Sequence, residues 1–274
     1  MAFFTTFTIL LLLVVLSNLA ESRFDKYYVP LWGQNHLSVN PQGTQVQLMM
    51  DKSSGAGFRS KLEYGSGLFH IRMKIPDKKT GGIVTTFYLT SAPDYQEPGN
   101  HFELDYEFLG TNGTVQTNVY DNDGGHREES FKLWFDPSKD FHTYEILWNS
   151  HQVVFTVDKI PVRVFKNNTA RGIAYPSKPM HIEASIWNAD WAGKVDWTQA
   201  PFTAYFQDFD FYACSTQGDD VSRCDSGGYF WNGRNYWELN SQQKQLMQNY
   251  RRLYMIYDYC SSPSTRKEEC SLNV

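Results

Sequence analysis

The chain predicts an all-β domain, a β-sandwich or jelly roll, with a helical segment only near its C-terminal end. Three observations carry this reading. From about Phe24 to Tyr212, short apolar or alternating runs are separated by Gly, Pro, Asn and Asp, the pattern of many strands joined by turns. Two of these runs, FHTYEILWN (141–149) and QVVFTVD (152–158), stand either side of a short turn, as a hairpin would. The C-terminal segment differs, with Leu246, Tyr250, Leu253 and Tyr257 recurring at intervals of four, three and four. A length of 274 residues can bury a sizeable core and suits one large domain, or one domain with an extension.

In chain order, residues 1–22, MAFFTTFTILLLLVVLSNLAES, have no charged side chain before Glu21, and their apolar run ends at Leu16. Small and polar residues follow, suited to cleavage after Ala20 or Ser22. This reads as a secretory signal peptide without the usual leading Lys or Arg; the alternative is an uncleaved membrane anchor. No second long apolar stretch occurs, so the chain after cleavage is expected to be soluble and free of the membrane.

Residues 23–212 form the expected β domain. LFHIRMKI (68–75) alternates apolar and polar residues, and IVTTFYL (83–89) is a longer apolar strand. The hairpin, MHIEASIWN (180–188) and FTAYFQDFDFYA (202–213) continue the series. Residues 213–274 are an extension. In SQQKQLMQNYRRLYMIYDY (241–259), Leu246, Tyr250, Leu253 and Tyr257 recur at helical spacing and predict an amphipathic helix packed on the sandwich.

All four cysteines, Cys214, Cys224, Cys260 and Cys270, lie in the extension, and an even number in an exported chain suggests two disulfides. Three pairings are possible. The local one, Cys214–Cys224 and Cys260–Cys270, closes two short loops flanking the helix and is preferred. The absence of any CxxC spacing argues against a zinc site. Asn112 and Asn167 open two glycosylation sequons.

The net charge of −5, without a dense Lys/Arg cluster, gives no footprint for nucleic acid. No metal-ligand cluster or phosphate-cradling glycine loop is apparent, so no metal and no cofactor is expected. Aromatic residues make up 16 %, a share that suits a sandwich core and a sugar-binding cleft alike.

The segment HFELDYEFLG (101–110) is the most informative. In a strand its side chains alternate, so His101, Glu103, Asp105 and Glu107 share one face and Phe102, Leu104, Tyr106 and Phe108 the other. A solvated acidic surface is the plain reading. Like charges on one strand face, however, disfavour the structure unless something uses them. Retaining glycoside hydrolysis needs two carboxyl groups about 5 to 5.5 Å apart, as nucleophile and acid/base. Residues i and i+4 of a strand lie roughly 13 Å apart at the backbone, and two Glu side chains leaning together close most of that gap. An inverting pair at about 6.5 to 9.5 Å remains open, as does which Glu takes which role. Asp105 between them raises at least one pKa, which lets one Glu stay protonated while its partner is charged.

HFELDYEFLG resembles the HDEIDFEFLG motif of plant xyloglucan endotransglucosylase/hydrolases of glycoside hydrolase family 16. DKSSGAGFRSK (51–61), VQTNVY (115–120), HRE (126–128), FHTYEILWN and VDKIPVRVFKN (157–167) are similar to family segments too. So are SIWNADWA (185–192), WNGRNYWELNSQQ (231–243) and the YDYC…C closure (257–270), so the likeness covers almost all of the chain after the leader. The resemblance implies a curved, concanavalin-like jelly roll with an open cleft. It implies Glu103 as nucleophile, Glu107 as acid/base and substrate contact, and Asp105 as electrostatic helper. Gln116, Thr117, Asn118, Arg127, Glu128, Asp190, Trp191, Gly193 and Arg266 match glucan-contacting positions. The partners implied are a polysaccharide donor and acceptor, xyloglucan or another β-glucan, handled by a secreted monomer in the cell wall or apoplast. A hydrolase using water as acceptor, or a lectin on the same fold, are the alternatives; a lectin needs no acid/base pair.

The chain departs from the family pattern in three places. Phe102 stands where the family usually has Asp, and by parity it should alter packing and leave catalysis intact. The Asn112 sequon sits later than is common after Gly110, and the loop there is shorter. The Asp190–Lys194 segment is abbreviated, with one Asp where many members have two, and this trimming leans toward transfer.

Overall fold

A computed structural model describes residues 22–93, 99–110, 113–216, 218 and 220–272. Nearly all of the leader and the Asn112 sequon position lie outside the described residues. The strands run β1 (Tyr28–Trp32), β2 (Leu37–Val39), β3 (Gln45–Met50), β4 (Ala56–Ser60), β5 (Tyr64–Lys74) and β6 (Ile83–Thr90). They continue as β7 (His101–Leu109), β8 (Thr114–Asp123), β9 (Glu129–Lys132), β10 (His142–Trp148), β11 (Gln152–Val157) and β12 (Ile160–Lys166). The last are β13 (His181–Asn188), β14 (Phe202–Gln207), β15 (Tyr212–Ser215) and β16 (Met255–Asp258). A single helical turn α1 (Phe24–Tyr27) opens the domain, and α2 (Ser241–Tyr254) lies in the extension.

Two sheets pack face to face. The first has the order β1-β4-β13-β6-β7-β8-β9-β16, the second β12-β11-β10-β5-β14-β3-β2, with β15 pairing beside β5. Between them the alternating strands bury their apolar faces: Phe58, Phe69, Phe87, Leu104, Phe108, Phe131, Phe155 and Phe206 are fully buried. Phe58 meets Phe24, Tyr28 and Phe206 edge-on at 5.2 to 5.4 Å between ring centres, a geometry favoured by the aromatic quadrupole. Phe102 joins the same core, as its parity predicts. The expected all-β sandwich with one helix of several turns is therefore the fold.

Two elements differ from their sequence patterns. The run 202–213 is not one strand. Asp208 adopts φ +59°, a left-handed conformation that Asp tolerates, and turns the chain out of β14. Phe209 then drops into the core, its N–H donated to Ser22 Oγ at 2.7 Å, before β15 rejoins β5 at Leu68. β15 therefore spans the expected boundary between residues 212 and 213.

The helix is also shorter than its pattern. It starts at a capping box, in which the Asn240 side chain accepts the Gln243 N–H and the Gln243 side chain accepts the Asn240 N–H. It stops at Tyr254, because the next four residues pair with β9 as β16. Tyr257 is thus on a strand, and Leu246 and Leu253 face solvent. The packed face is Met247, Tyr250 and Tyr254; Tyr250 is buried and its hydroxyl donates to the Lys132 carbonyl. The disulfides Cys214–Cys224 and Cys260–Cys270 flank this helix, each with Cα atoms 5.5 Å apart. The first packs with Leu147, Val154, Trp231 and Leu239 against the outside of the second sheet.

Candidate active site

β7 is a central strand of the first sheet, between β6 and β8. Its register aligns each carboxylate with polar neighbours on both sides. Glu107 stands between Thr86 and Gln116, Asp105 between Tyr88 and Asn118, and Glu103 between Thr90 and Tyr120. Beyond β6, Ser185 and Glu183 of β13 extend the first two rows. The side chains bond along these rows: Ser130 Oγ donates to Gln116 Oε1, and Gln116 Nε2 to Glu107 Oε2, both at 3.1 Å. In the middle row Tyr88 OH donates to Glu183 Oε2 at 2.5 Å, and Asn118 Nδ2 lies 3.4 Å from Glu128 Oε1. Glu103 has His101 3.5 Å from its Oε2, and that ring is fixed by the Gly99 carbonyl and stacked on Tyr120. The underside of β7 is locked by Tyr106, whose hydroxyl crosses the core to the Thr156 carbonyl at 3.0 Å.

This packing sets the proton affinities. Burial pushes Glu107 up to about 7, opposed by the Gln116 amide that favours the charged form, and aided by the charges of Glu103 and Glu128. Burial also drives Asp105 well above the usual carboxylate range, with Glu103 and Glu107 adding repulsion and a hydrogen bond to Glu103 holding its proton. The Glu103 carboxylate in turn raises His101, against the effect of burial. Glu107 and Asp105 thus both favour protons, and Glu103 on the other side of Asp105 accepts hydrogen bonds, an asymmetry that can supply one acid and one nucleophile.

Residues 24–207 match the glycosyl hydrolases family 16. The Arabidopsis thaliana xyloglucan endotransglucosylase/hydrolase protein 3 is 48 % identical over 262 residues, covering 90 % of this chain and 88 % of its own. The chain belongs to the xyloglucan endotransglucosylase/hydrolase family of glycosyl hydrolases. The putative xyloglucan endotransglucosylase/hydrolase protein 1 of the same plant is 50 % identical over 247 residues, or 87 % of this chain and 82 % of its own. Among solved structures, a prokaryotic β-1,3-1,4-glucanase (lichenase) from a mouse hindgut metagenome superposes with a TM-score of 0.58 and 26 % identity. That likeness covers 70 % of this chain and 95 % of the lichenase.

In this xyloglucan endotransglucosylase/hydrolase family member, Gln116, Asn118 and Glu128 gather with the three carboxylates on the open face. Thr117, of opposite parity, is fully buried. Arg127 also turns away. It is buried, its Nε donates to Glu269 at 2.6 Å, and its Nη1 donates to Asp123 at 2.9 Å. Its backbone N–H still reaches the site, donated to Asn118 Oδ1 at 3.1 Å. Asp190, Trp191 and Gly193 form a turn at the end of β13, where Trp191 is 60 % exposed and meets half-buried Trp187 edge-on at 6.2 Å. Gly193 seats against the Gly81-Gly82 loop before β6; a side chain at Gly82, with φ +71°, would stand 2.4 Å from the Gly193 carbonyl. Arg266 is exposed in the Cys260–Cys270 loop. Asn167 is half-buried, its Nδ2 donated to the Ser150 carbonyl.

Sequence reading missed Tyr88, Glu183, Tyr120 and Ser130. The alternation of IVTTFYL places Tyr88 on one face, but only the register between β6 and β7 sets it beside Asp105.

Proposed function

We propose that this chain is a secreted xyloglucan endotransglucosylase that works by double displacement. Glu103 attacks the anomeric carbon of a β-1,4-linked glucosyl residue while Glu107 gives its proton to the departing glucan oxygen. The C–O bond to the leaving chain breaks as the ester to Glu103 forms. Glu107, now charged, takes the proton of an acceptor hydroxyl, whose oxygen displaces Glu103 and restores the β-linkage. Asp105, neutral in its buried place, donates to Glu103 and steadies its charge as it forms and leaves. The observation that carries this reading is the carboxylate triplet, with Asp105 buried between half-buried Glu103 and a half-buried, proton-favouring Glu107, in a chain nearly half identical to named family members over most of its length.

Gln116 and Asn118 of β8, with Glu128 from the turn before β9, would bind the donor, with Arg266 at the rim. The exposed Trp191, propped by Trp187, would give a stacking platform for the acceptor, beside Asp190 and Gly193 in a short turn. Residues 1–22 would be removed on export, and the enzyme would act as a monomer in the cell wall, with Asn112 and Asn167 as glycan sites. With xyloglucan and a fluorescent xyloglucan oligosaccharide, label should enter polymer without a matching rise in reducing ends. New reducing ends with little label would make the chain a hydrolase.

Two results follow within this reading. The general acid must hold its proton before the first step, and protonated Glu107 is lost as pH rises through about 7. Donor cleavage should therefore decline about tenfold per unit above that value; a flat rate from pH 6 to about 9 would remove Glu107 from the acid role. Trp191→Ala should raise the acceptor KM roughly two- to tenfold, the worth of one aromatic contact, with donor cleavage little changed. An unchanged acceptor KM would place the acceptor elsewhere.

A further inference from the structure

Arg163 is rooted on β12 of the second sheet, but its guanidinium ends beneath the first. It is 1 % exposed, and its Nη1 donates to the Thr117 carbonyl at 2.9 Å and to the Thr117 hydroxyl at 3.1 Å. Phe155 and Tyr259 hold it between their rings, 5.7 and 5.6 Å from its central carbon. Thr117 lies on β8 between Gln116 and Asn118, the residues that face Glu107 and Asp105.

Folding alone gives a poor account of this side chain. A buried guanidinium pays a large desolvation cost, which an apolar residue of similar size avoids. Its nearest carboxylate, Glu129 at 3.9 Å, is already taken by Arg251 in a shorter, two-pronged contact. Its Nη2 donates to no other described group. Arg163 therefore leaves a positive charge directed at the underside of a strand with three carboxylates. Neutral Thr117 and Tyr106 are interposed.

We propose that Arg163 is a positioning residue for the glycosyl-transfer site: it fixes Thr117, and with it β8, from the core and supplies the positive charge against which Glu103 and Asp105 share one proton. This rests on the reading of Glu103 as nucleophile. Glu103 and Glu107 on its own strand oppose the ionisation of Asp105. Tyr88, bonded to Glu183 of β13, and Tyr120 of β8 flank the pair as neutral phenols, and His101 stands 3.5 Å from Glu103 at the other end of the pair. Glu128 beyond Asn118 adds a further negative charge to the face. Arg163 draws Asp105 back toward the charged form from the core side, whereas His101 acts on Glu103 from the same strand. Without Arg163 the pair would take up a second proton at higher pH and leave the nucleophile neutral.

The test uses the full secreted chain with carbon-13 carboxyl labels on aspartate, comparing wild type, Arg163→Gln and Arg163→Lys by NMR from pH 3 to about 10. Thermal unfolding serves as a check on folding. Glutamine keeps a donor for Thr117 and loses the charge; lysine keeps the charge and loses the fork. The Gln variant should raise the Asp105 titration by about one unit, a tenfold gain in proton affinity, and move the acid limb of kcat/KM upward equally. The Lys variant should titrate with wild type yet show a lower kcat at every pH. The proposal is overturned if Arg163→Gln titrates with wild type, if Arg163→Lys shifts as far as Arg163→Gln, or if Asp105 keeps its proton throughout in all three. Should the Gln variant not fold, a Lys variant with wild-type kcat overturns it too. Absence of glucan transfer by wild type would instead count against the proposed function, with the titrations still deciding the role of Arg163.

Discussion

Glu103→Ala will lower glucan transfer by at least about 10⁴-fold and leave a protein at least as stable as the parent. The loss follows from removing the atom that forms the covalent bond, for which no neighbour substitutes. The stability follows from the crowding. Glu103 adds repulsion to both Asp105 and Glu107, so its removal relieves one buried and one half-buried carboxyl. Initial rates with the labelled oligosaccharide, beside thermal unfolding, check both halves. Azide offers a sharper readout: in the cavity left by alanine it should attack from the nucleophile's side and give the inverted glycosyl azide from an activated donor. Transfer persisting near the wild-type rate would exclude Glu103 as nucleophile.

Glu269→Ala should produce the largest loss of stability, about 3 kcal/mol, with Tm lowered by roughly 6–12 °C. Glu269 is buried beside Cys270 and accepts from Arg127 at 2.6 Å and from the Tyr259 hydroxyl at 3.4 Å. Its loss leaves the Arg127 guanidinium buried with Asp123, and with Asp121 at 3.9 Å, as its remaining counter-charges. Those carboxylates keep the expected cost at the low end for a broken buried pair. Because the Arg127 N–H bonds Asn118, activity should fall in parallel with anchoring of the β8–β9 turn. Urea unfolding within about 0.5 kcal/mol of wild type would mean that Asp123 alone holds Arg127.

Strand alternation is a local property, and what rests on it was legible. Glu103, Asp105 and Glu107 share a face over buried Leu104, Tyr106 and Phe108, and Gln116 and Asn118 share theirs over buried Thr117. What depends on pairing between distant segments was not. Glu183 reaches Tyr88 only through the β13–β6 register, which no short pattern encodes. Arg127 and Glu128 are adjacent, yet one is buried and the other faces the site. The turn before them, with Gly125 and His126 at positive φ, resets the alternation, so a matching segment cannot say which side chain points where. Tyr257 keeps helical spacing but lies on a strand, because pairing with β9 outweighs a period carried by few residues.

That last exchange has a consequence for solubility. Without β16, the first sheet would end at β9, whose outer backbone donors and acceptors would be open to pairing. An exposed edge of this kind is a template for strands of other molecules, and natural sheets blunt it with charge, bulges or a cover. Here the cover comes from the far end of the chain. β16 is short and bulged between Met255 and Tyr257, with the disulfide at Cys260 closing just beyond it. The C-terminal segment is therefore a guard against self-association as much as a part of the enzyme, and a chain cut at the β domain's apparent end would be sticky before it was inactive.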